Sequence, residues 1–290
     1  MMGMMNKYVF GPVPSRRLGQ SLGIDPVPLK TCNWNCIYCQ LGRSRPVTNE
    51  RKFYSDPQII LEQVKGALHA KHPVGIDWIT FVGSGETTLH TGIGEMVRSV
   101  KALTDLPVAV ITNGSLLYLP EVRDALLPAD AVMPSVDAGS KELYKRINRP
   151  HPQLAFRQWV EGLASFREVY KNNLWVEVML VRGINDSEEA LADIAALLER
   201  IRPDEVHIVT PDRPPVEAWV KPPDEEGLMR AHAILGHVAK IIHPAAGTFD
   251  LGSGIDLVDS IVGIITRHPM KESELVEALD TWSTDDIRKT

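Results

Sequence analysis

From Ser21 to Pro211, short β-branched runs alternate with longer stretches whose apolar residues return at helical spacing, the pattern of successive βα units on a parallel sheet. Strands are expected near Ser21 to Asp25, Trp78 to Val82, Val108 to Thr112, Ala131 to Val136, Trp175 to Val181 and Val206 to Thr210. The first helix follows Ser55-Asp56-Pro57, where a capping residue and an early proline open the segment Gln58 to Ala70. Others are expected near Ile93 to Leu103, Pro120 to Leu127, Lys141 to Ile147, Pro152 to Tyr170 and Ser187 to Ile201. In the last of these, Leu191, Ile194, Leu197, Leu198 and Ile201 mark the packed stripe. Six such strands are too few to close an eight-stranded barrel.

After Pro223 the pattern turns helical, first over Glu225 to Lys240 and then over Asp256 to His268. The end of the chain, Lys271 to Leu279 followed by Ser283 to Ile287, has two capping signals and the rhythm of a helix-turn-helix that stops before a wing. Its acidic charge favours packing on the barrel or a partner subunit over reading DNA. The chain therefore divides into residues 1–223, an α/β unit, and 224–290, a helical extension like a truncated winged helix.

With 290 residues, 44% of them hydrophobic, the chain can bury one large α/β domain or two modest ones. No apolar run is long enough to cross a bilayer, and Met1 to Lys7 has no signal core, so a cytoplasmic protein with no membrane partner is expected. The net charge of -6 argues against wide nonspecific nucleic-acid binding. A local basic site remains open, because Arg16, Arg17, Arg43, Arg45, Arg51 and Lys52 flank the middle of the first loop on both sides. They either solubilise the surface or meet an acidic redox partner or a phosphorylated substrate.

Between those basic residues lie the only cysteines, in Thr31-Cys32-Asn33-Trp34-Asn35-Cys36-Ile37-Tyr38-Cys39-Gln40. Soft thiolates suit iron-sulfur or zinc sites over hard cations, and three of them leave one corner of a cuboidal cluster without a protein sulfur. Zinc would want a fourth ligand, for which a distant His could serve, and an odd count in a chain of this size argues against a disulfide framework. A metal- or redox-sensing regulator, with the tail on DNA, is the reading from outside enzymology.

The C-x3-C-x2-C order, with an aromatic residue just before the last cysteine, resembles the radical S-adenosylmethionine (radical SAM) superfamily. The opening Phe10-Gly11-Pro12-Val13-Pro14-Ser15-Arg16-Arg17-Leu18-Gly19 resembles a branch of it known as iron-sulfur oxidoreductases, distantly like the radical domain of the tRNA wyosine-forming enzyme. The resemblance implies a partial (β/α)6 TIM-like barrel and a [4Fe-4S] cluster on Cys32, Cys36 and Cys39 whose open iron binds S-adenosylmethionine. It further implies reductive cleavage to a 5'-deoxyadenosyl radical, hydrogen abstraction from an unidentified substrate, and a low-potential donor such as flavodoxin or ferredoxin. Radical modification of a tRNA or nucleotide is the second enzymatic reading. The lack of further cysteines departs from the two-cluster arrangement of wyosine formation.

Other strand ends carry matching segments. Gly83-Ser84-Gly85-Glu86 resembles the element that binds the methionine amino group, with Thr87 where the family has proline; Asn113, in Thr112-Asn113-Gly114, resembles one beside the cofactor. Ser135 and Asp137 alternate along a strand end and resemble the ribose motif, although Asp137 also suits a helix cap. Ile184, in Gly183-Ile184-Asn185-Asp186, and Tyr38 resemble positions that touch adenine, while Asn185 and Asp186 equally suit a turn. Arg146 or Arg149 could meet the methionine carboxylate. The proline-rich stretch after the sixth strand, with Arg213, Trp219 and Lys221, could wall the barrel mouth or simply stiffen a connector.

Overall fold

A computed structural model describes residues 7–70 and 75–243. Its single sheet has eight strands in chain order, β1 (Val9–Ser15), β2 (Gly19–Ile24), β3 (Trp78–Phe81), β4 (Val108–Thr112), β5 (Ala131–Pro134), β6 (Asn173–Met179), β7 (Glu205–Val209) and β8 (Ala239–Ile241). β1 and β2 form an antiparallel hairpin, and every later neighbouring pair is parallel. Strands β2 to β7 are the six expected from the sequence. Each is followed by helix: α1 (Pro57–His69), α2 (Ile93–Leu103), α3 (Pro120–Leu126), α4 (Lys141–Ile147) with α5 (Phe156–Val169), α6 (Glu188–Ile201) and α7 (Glu225–Leu235). The architecture is an α/β fold of the partial TIM-barrel kind.

Helix starts follow their capping chemistry. Asp56 accepts from the Gln58 amide at 2.9 Å with Pro57 in the first turn, and Ser187 caps α6 through the Ala190 amide. The stripe Leu191, Ile194, Leu197, Leu198, Ile201 is buried as its spacing demands. It joins Ile60, Val64, Met96, Val100, Leu163 and Phe166 in one core between sheet and helices, alongside inward strand residues such as Ile24, Phe81, Val110 and Val176. Each such side chain contributes about 1.5–3 kcal/mol by leaving water.

Two expectations change. β1 and β8 flank the six strands, and the helix expected over Glu225 to Lys240 stops at Leu235, where Gly236 turns to φ 89° and releases the chain into β8. α7 packs on α6, so the βα layering continues past the expected boundary at 223. The helix expected over Asp256 to His268 and the winged-helix-like tail lie outside the described residues.

Candidate functional site

The cysteines sit in the long loop between β2 and α1, beyond the C-terminal ends of the strands, and the loop is fixed from several sides. Amides of Asn35 and Ile37 donate to carbonyls of Asn148 and Ile147 at the end of α4, both at 2.9 Å, and the His151 amide donates to the Asn33 carbonyl at 2.8 Å. Trp34, 2% exposed, is driven into an aromatic group, edge-on to Tyr144 at 5.4 Å and to Trp159 at 5.8 Å between ring centroids. From the far edge, the amides of Val216 and Glu217 donate to the carbonyls of Cys39 and Ile37 at 3.1 and 3.3 Å.

Every sulfur has a donor. Cys32 Sγ faces the Trp34 amide at 3.4 Å and Asn113 Nδ2 at 3.9 Å, Cys36 Sγ faces Asn148 Nδ2 at 3.7 Å, and Cys39 Sγ faces Lys30 Nζ at 3.1 Å. Burial pushes the Cys32 thiol up to about 12, with Glu86 adding to the rise, and lifts Cys36 well above its ordinary value with help from Asp137. Bare thiolates are thus unfavourable here, whereas cation-bound thiolates accepting these donors are well accommodated. The sulfurs are close enough to feel one another's charge. Three soft sulfur donors, each met by a hydrogen-bond donor, are the ligand chemistry an iron-sulfur cluster takes.

Gly83-Ser84-Gly85-Glu86 follows β3 and presses against the cysteine loop. A Cβ at Gly85 would overlap the Thr31 carbonyl and one at Gly83 the Asp25 carboxylate, so the glycines permit a close approach of two chain segments. Lys30 and Glu86 amides seal that contact on Ser84 and Thr31 carbonyls at 2.6 and 2.9 Å, and Ser84 Oγ donates to Asp25 Oδ2 at 2.7 Å. Glu86, 2% exposed, accepts through Oε1 from the Thr88 amide, Thr88 Oγ1 and Thr112 Oγ1, and through Oε2 from the Asn113 amide at 2.7 Å. That leaves Oε2 with acceptor capacity to spare. Asn113 itself donates from Nδ2 to Asn33 Oδ1 at 2.7 Å.

Asp137 is buried and engaged at both oxygens: Oδ2 accepts from Tyr38 OH at 2.5 Å and Asn148 Nδ2 at 2.7 Å, and Oδ1 from the Met179 amide at 2.9 Å. Burial, reinforced by that carboxylate, holds the Tyr38 phenol well above its ordinary range, so its proton stays put. Ser135, half-buried, is the accessible member of the pair. Asn185 Nδ2 donates to carbonyls of Asp137 and Met179, both at 2.8 Å, tying the loop of half-buried Ile184 to the ends of β5 and β6.

The flanking cations are mostly paired, Arg16 with Asp212, Arg17 with Glu177, Arg43 with Glu217, Arg51 with Glu121 and Lys52 with Glu50. Arg149 also reaches Glu217 Oε1, at 2.5 Å, and holds that carboxyl below its ordinary value, while Arg146 is exposed. Through Glu217 the proline-rich stretch thus contacts Arg43 of the cysteine loop and Arg149 beyond α4. Lys30, Asn33, Asn148 and Glu217 went unread in the sequence; Lys30 and Asn33 stand on either side of the first cysteine, Cys32, but Asn148 and Glu217 carry no local signal.

The family model of the radical SAM superfamily matches residues 27–195. The chain is 36% identical over 275 residues to a UPF0026 protein of Methanocaldococcus jannaschii, a match spanning 93% of this chain and 85% of that one. It is 46% identical over 226 residues to a Brachyspira hyodysenteriae protein named GTPase Obg, but that match takes in 78% of this chain and only 33% of the other. Among solved structures, TYW1 with a lysine-pyruvate adduct bound superposes with a TM-score of 0.55 at 18% identity, covering 74% of this chain and 72% of that one. At such identity the likeness is one of fold.

Proposed function

The chain belongs to the radical SAM superfamily, and from that premise we propose that Cys32, Cys36 and Cys39 hold one [4Fe-4S] cluster at which S-adenosylmethionine is cleaved reductively. Bound there, such a cluster would supply the electron for reductive cleavage of the sulfonium, and the resulting 5'-deoxyadenosyl radical would take hydrogen from the substrate. The observation that carries this reading is the loop above the strand ends in which three sulfurs are gathered and each is met by a hydrogen-bond donor.

The chain's own residues would bind and orient the nucleoside. Glu86 Oε2 has room for the methionine ammonium once the Asn113 amide is satisfied, while Gly83, Ser84 and Gly85 hold that carboxylate against the cysteine loop. Ser135 is the accessible hydroxyl for the ribose, and Asn113 stands between β4 and Cys32. Tyr38 and Ile184 offer apolar surface to the adenine, with the Tyr38 ring locked by its bond to Asp137. Asp137 acts through Tyr38 and Asn148, both of which its Oδ2 holds in place. Walls of this kind keep water from a reactive intermediate. The electron would come from a low-potential donor of the flavodoxin or ferredoxin type.

The test is anaerobic reconstitution followed by dithionite and S-adenosylmethionine. About four irons per chain and 5'-deoxyadenosine are expected from the native protein, and neither from Cys32→Ala. Native protein that makes no more 5'-deoxyadenosine than this variant defeats the reading.

A further inference from the structure

The inside of the partial barrel is layered. At its floor Leu18, from the turn of the β1–β2 hairpin, packs on Ala109, Ala131 and Met133, with Trp78, Ile111 and Trp175 around it. Trp175, Glu177 and Met179 alternate along β6 with buried Leu174, Val176 and Val178, which face the helices, so Glu177 stands one step above that floor. It lies opposite His207 on β7 and bridges to Ser135 beyond β5.

This second layer is charged. Arg17 lies against Glu177, with side chains only 11% and 12% exposed, and neither its buried Nε nor its Nη1 makes a hydrogen bond of ordinary geometry. Next to it Arg16 Nη1 pairs with Asp212 Oδ2 at 3.1 Å, and the following residue, Arg213, donates to Gln40 Oε1 at 3.3 Å, immediately after Cys39. Three guanidiniums thus share one wall with two carboxylates. Nearby Glu205 is occupied by Lys240 at 2.5 Å and by His207 at 2.9 Å, and burial keeps His207 below its ordinary value, hence neutral near pH 7.

We infer that this layer is the substrate's seat, and that the substrate carries an anionic group, a carboxylate or a phosphate, received by Arg17 with Arg16 and Arg213. The inference rests on the radical SAM reading, which sets the cofactor above this layer and leaves the lumen to the substrate. A hairpin pinned only by ion pairs would account for Arg16 and Arg17. It leaves unexplained the unpartnered Nε and the third guanidinium on the path from this layer to the cysteine loop. Burial together with Arg16 and Arg213 pulls the Arg17 guanidinium down to about 9, a penalty that an incoming anion relieves. Planar guanidiniums also suit both candidate groups, since they can donate two parallel hydrogen bonds.

Phosphate, malonate and neutral glycerol should be titrated calorimetrically, at fixed ionic strength, into the cluster-loaded full chain with and without S-adenosylmethionine. The native protein is expected to bind phosphate or malonate but not glycerol, and the cofactor should leave that affinity unchanged; whichever anion binds identifies the headgroup. The double variant Arg17→Met with Glu177→Met, which removes the buried pair together, should bind at least about tenfold more weakly, and Arg157→Gln, at an exposed position of α5, should bind as the native does. Failure of the native protein to bind either anion, equal binding by the double variant, or displacement of the anion by S-adenosylmethionine would overturn the inference. If the double variant does not fold, Arg213→Gln decides: a loss of about fivefold or more supports the seat, and unchanged affinity removes it. Native protein that yields 5'-deoxyadenosine yet binds no anion sinks this inference alone, whereas absence of 5'-deoxyadenosine sinks the parent reading.

Discussion

Lys30 shows how much a single side chain can be asked to do. Its backbone sits in the left-handed region at φ 64°, which costs a residue with a Cβ about 1–2 kcal/mol. The strain is held by its amide on the Ser84 carbonyl at 2.6 Å and places Nζ 3.1 Å from Cys39 Sγ. A cation there favours the reduced, more negative state of a bound cluster. Lys30→Met should therefore lower the cluster's reduction potential; a charge-assisted hydrogen bond worth about 1.5–3 kcal/mol implies a shift on the order of 60 mV or more. A potentiometric titration followed by electron paramagnetic resonance measures it, and an unshifted midpoint would mean that Lys30 only shapes the loop. Residue-scale legibility depends on distance along the chain. The thiolates could be read because they are contiguous, whereas the real partners of Asp137, namely Tyr38, Asn148 and Met179, stand 99, 11 and 42 positions away.

Elements were legible where periodicity had room to repeat. β2 to β7 and α1 to α6 fall close to their expected bounds, but β1 holds Pro12 and Pro14, which forfeit ladder hydrogen bonds, and Gly11, which has no side chain to pack, so the strand pattern is weak. Such a strand is tolerated at a sheet edge, which is where β1 lies. β8 has only three residues, too few to show alternation. Between elements, His90 ties the short 3-10 helix Thr87–Leu89 to the start of α1: Nδ1 accepts from the Gly92 amide at 3.0 Å, and Nε2 lies 3.0 Å from the Ser55 carbonyl, to which it donates in the matching tautomer. Burial lowers its pKa from the ordinary 6.5, so the neutral ring's stabilisation is complete above that value and is lost as pH falls through the lower, folded-state value. The melting temperature should accordingly drop between pH of about 7 and about 5, and His90→Asn, which keeps an acceptor for Gly92 but does not titrate, should flatten part of that drop. Parallel curves for variant and native protein would show that His90 is not involved.

At the scale of the whole molecule, the proline-rich stretch after β7 ties the last strands to the cysteine loop through main-chain bonds from Val216 and Glu217, and Glu217 then gathers Arg43 at 2.8 Å and Arg149 from beyond α4. The sequence showed prolines and charges here and leaned only slightly toward a wall over a connector, since the contacts of Glu217 join residues 174 and 68 positions away. If this strap closes the mouth, its strength resides in one carboxylate shared by two guanidiniums, an arrangement worth about 1.5–3 kcal/mol where it is partly dry. Glu217→Gln keeps the shape and removes the charge. Hydrogen exchange in peptides spanning residues 211–219 and 36–43 should then speed up together by about tenfold or more, since each 1.4 kcal/mol of local stability is one decade in opening. Peptides from α6 should be unaffected. Faster exchange in the strap alone would show that it does not hold the cysteine loop, and no change in either would place the closure in the main-chain bonds instead.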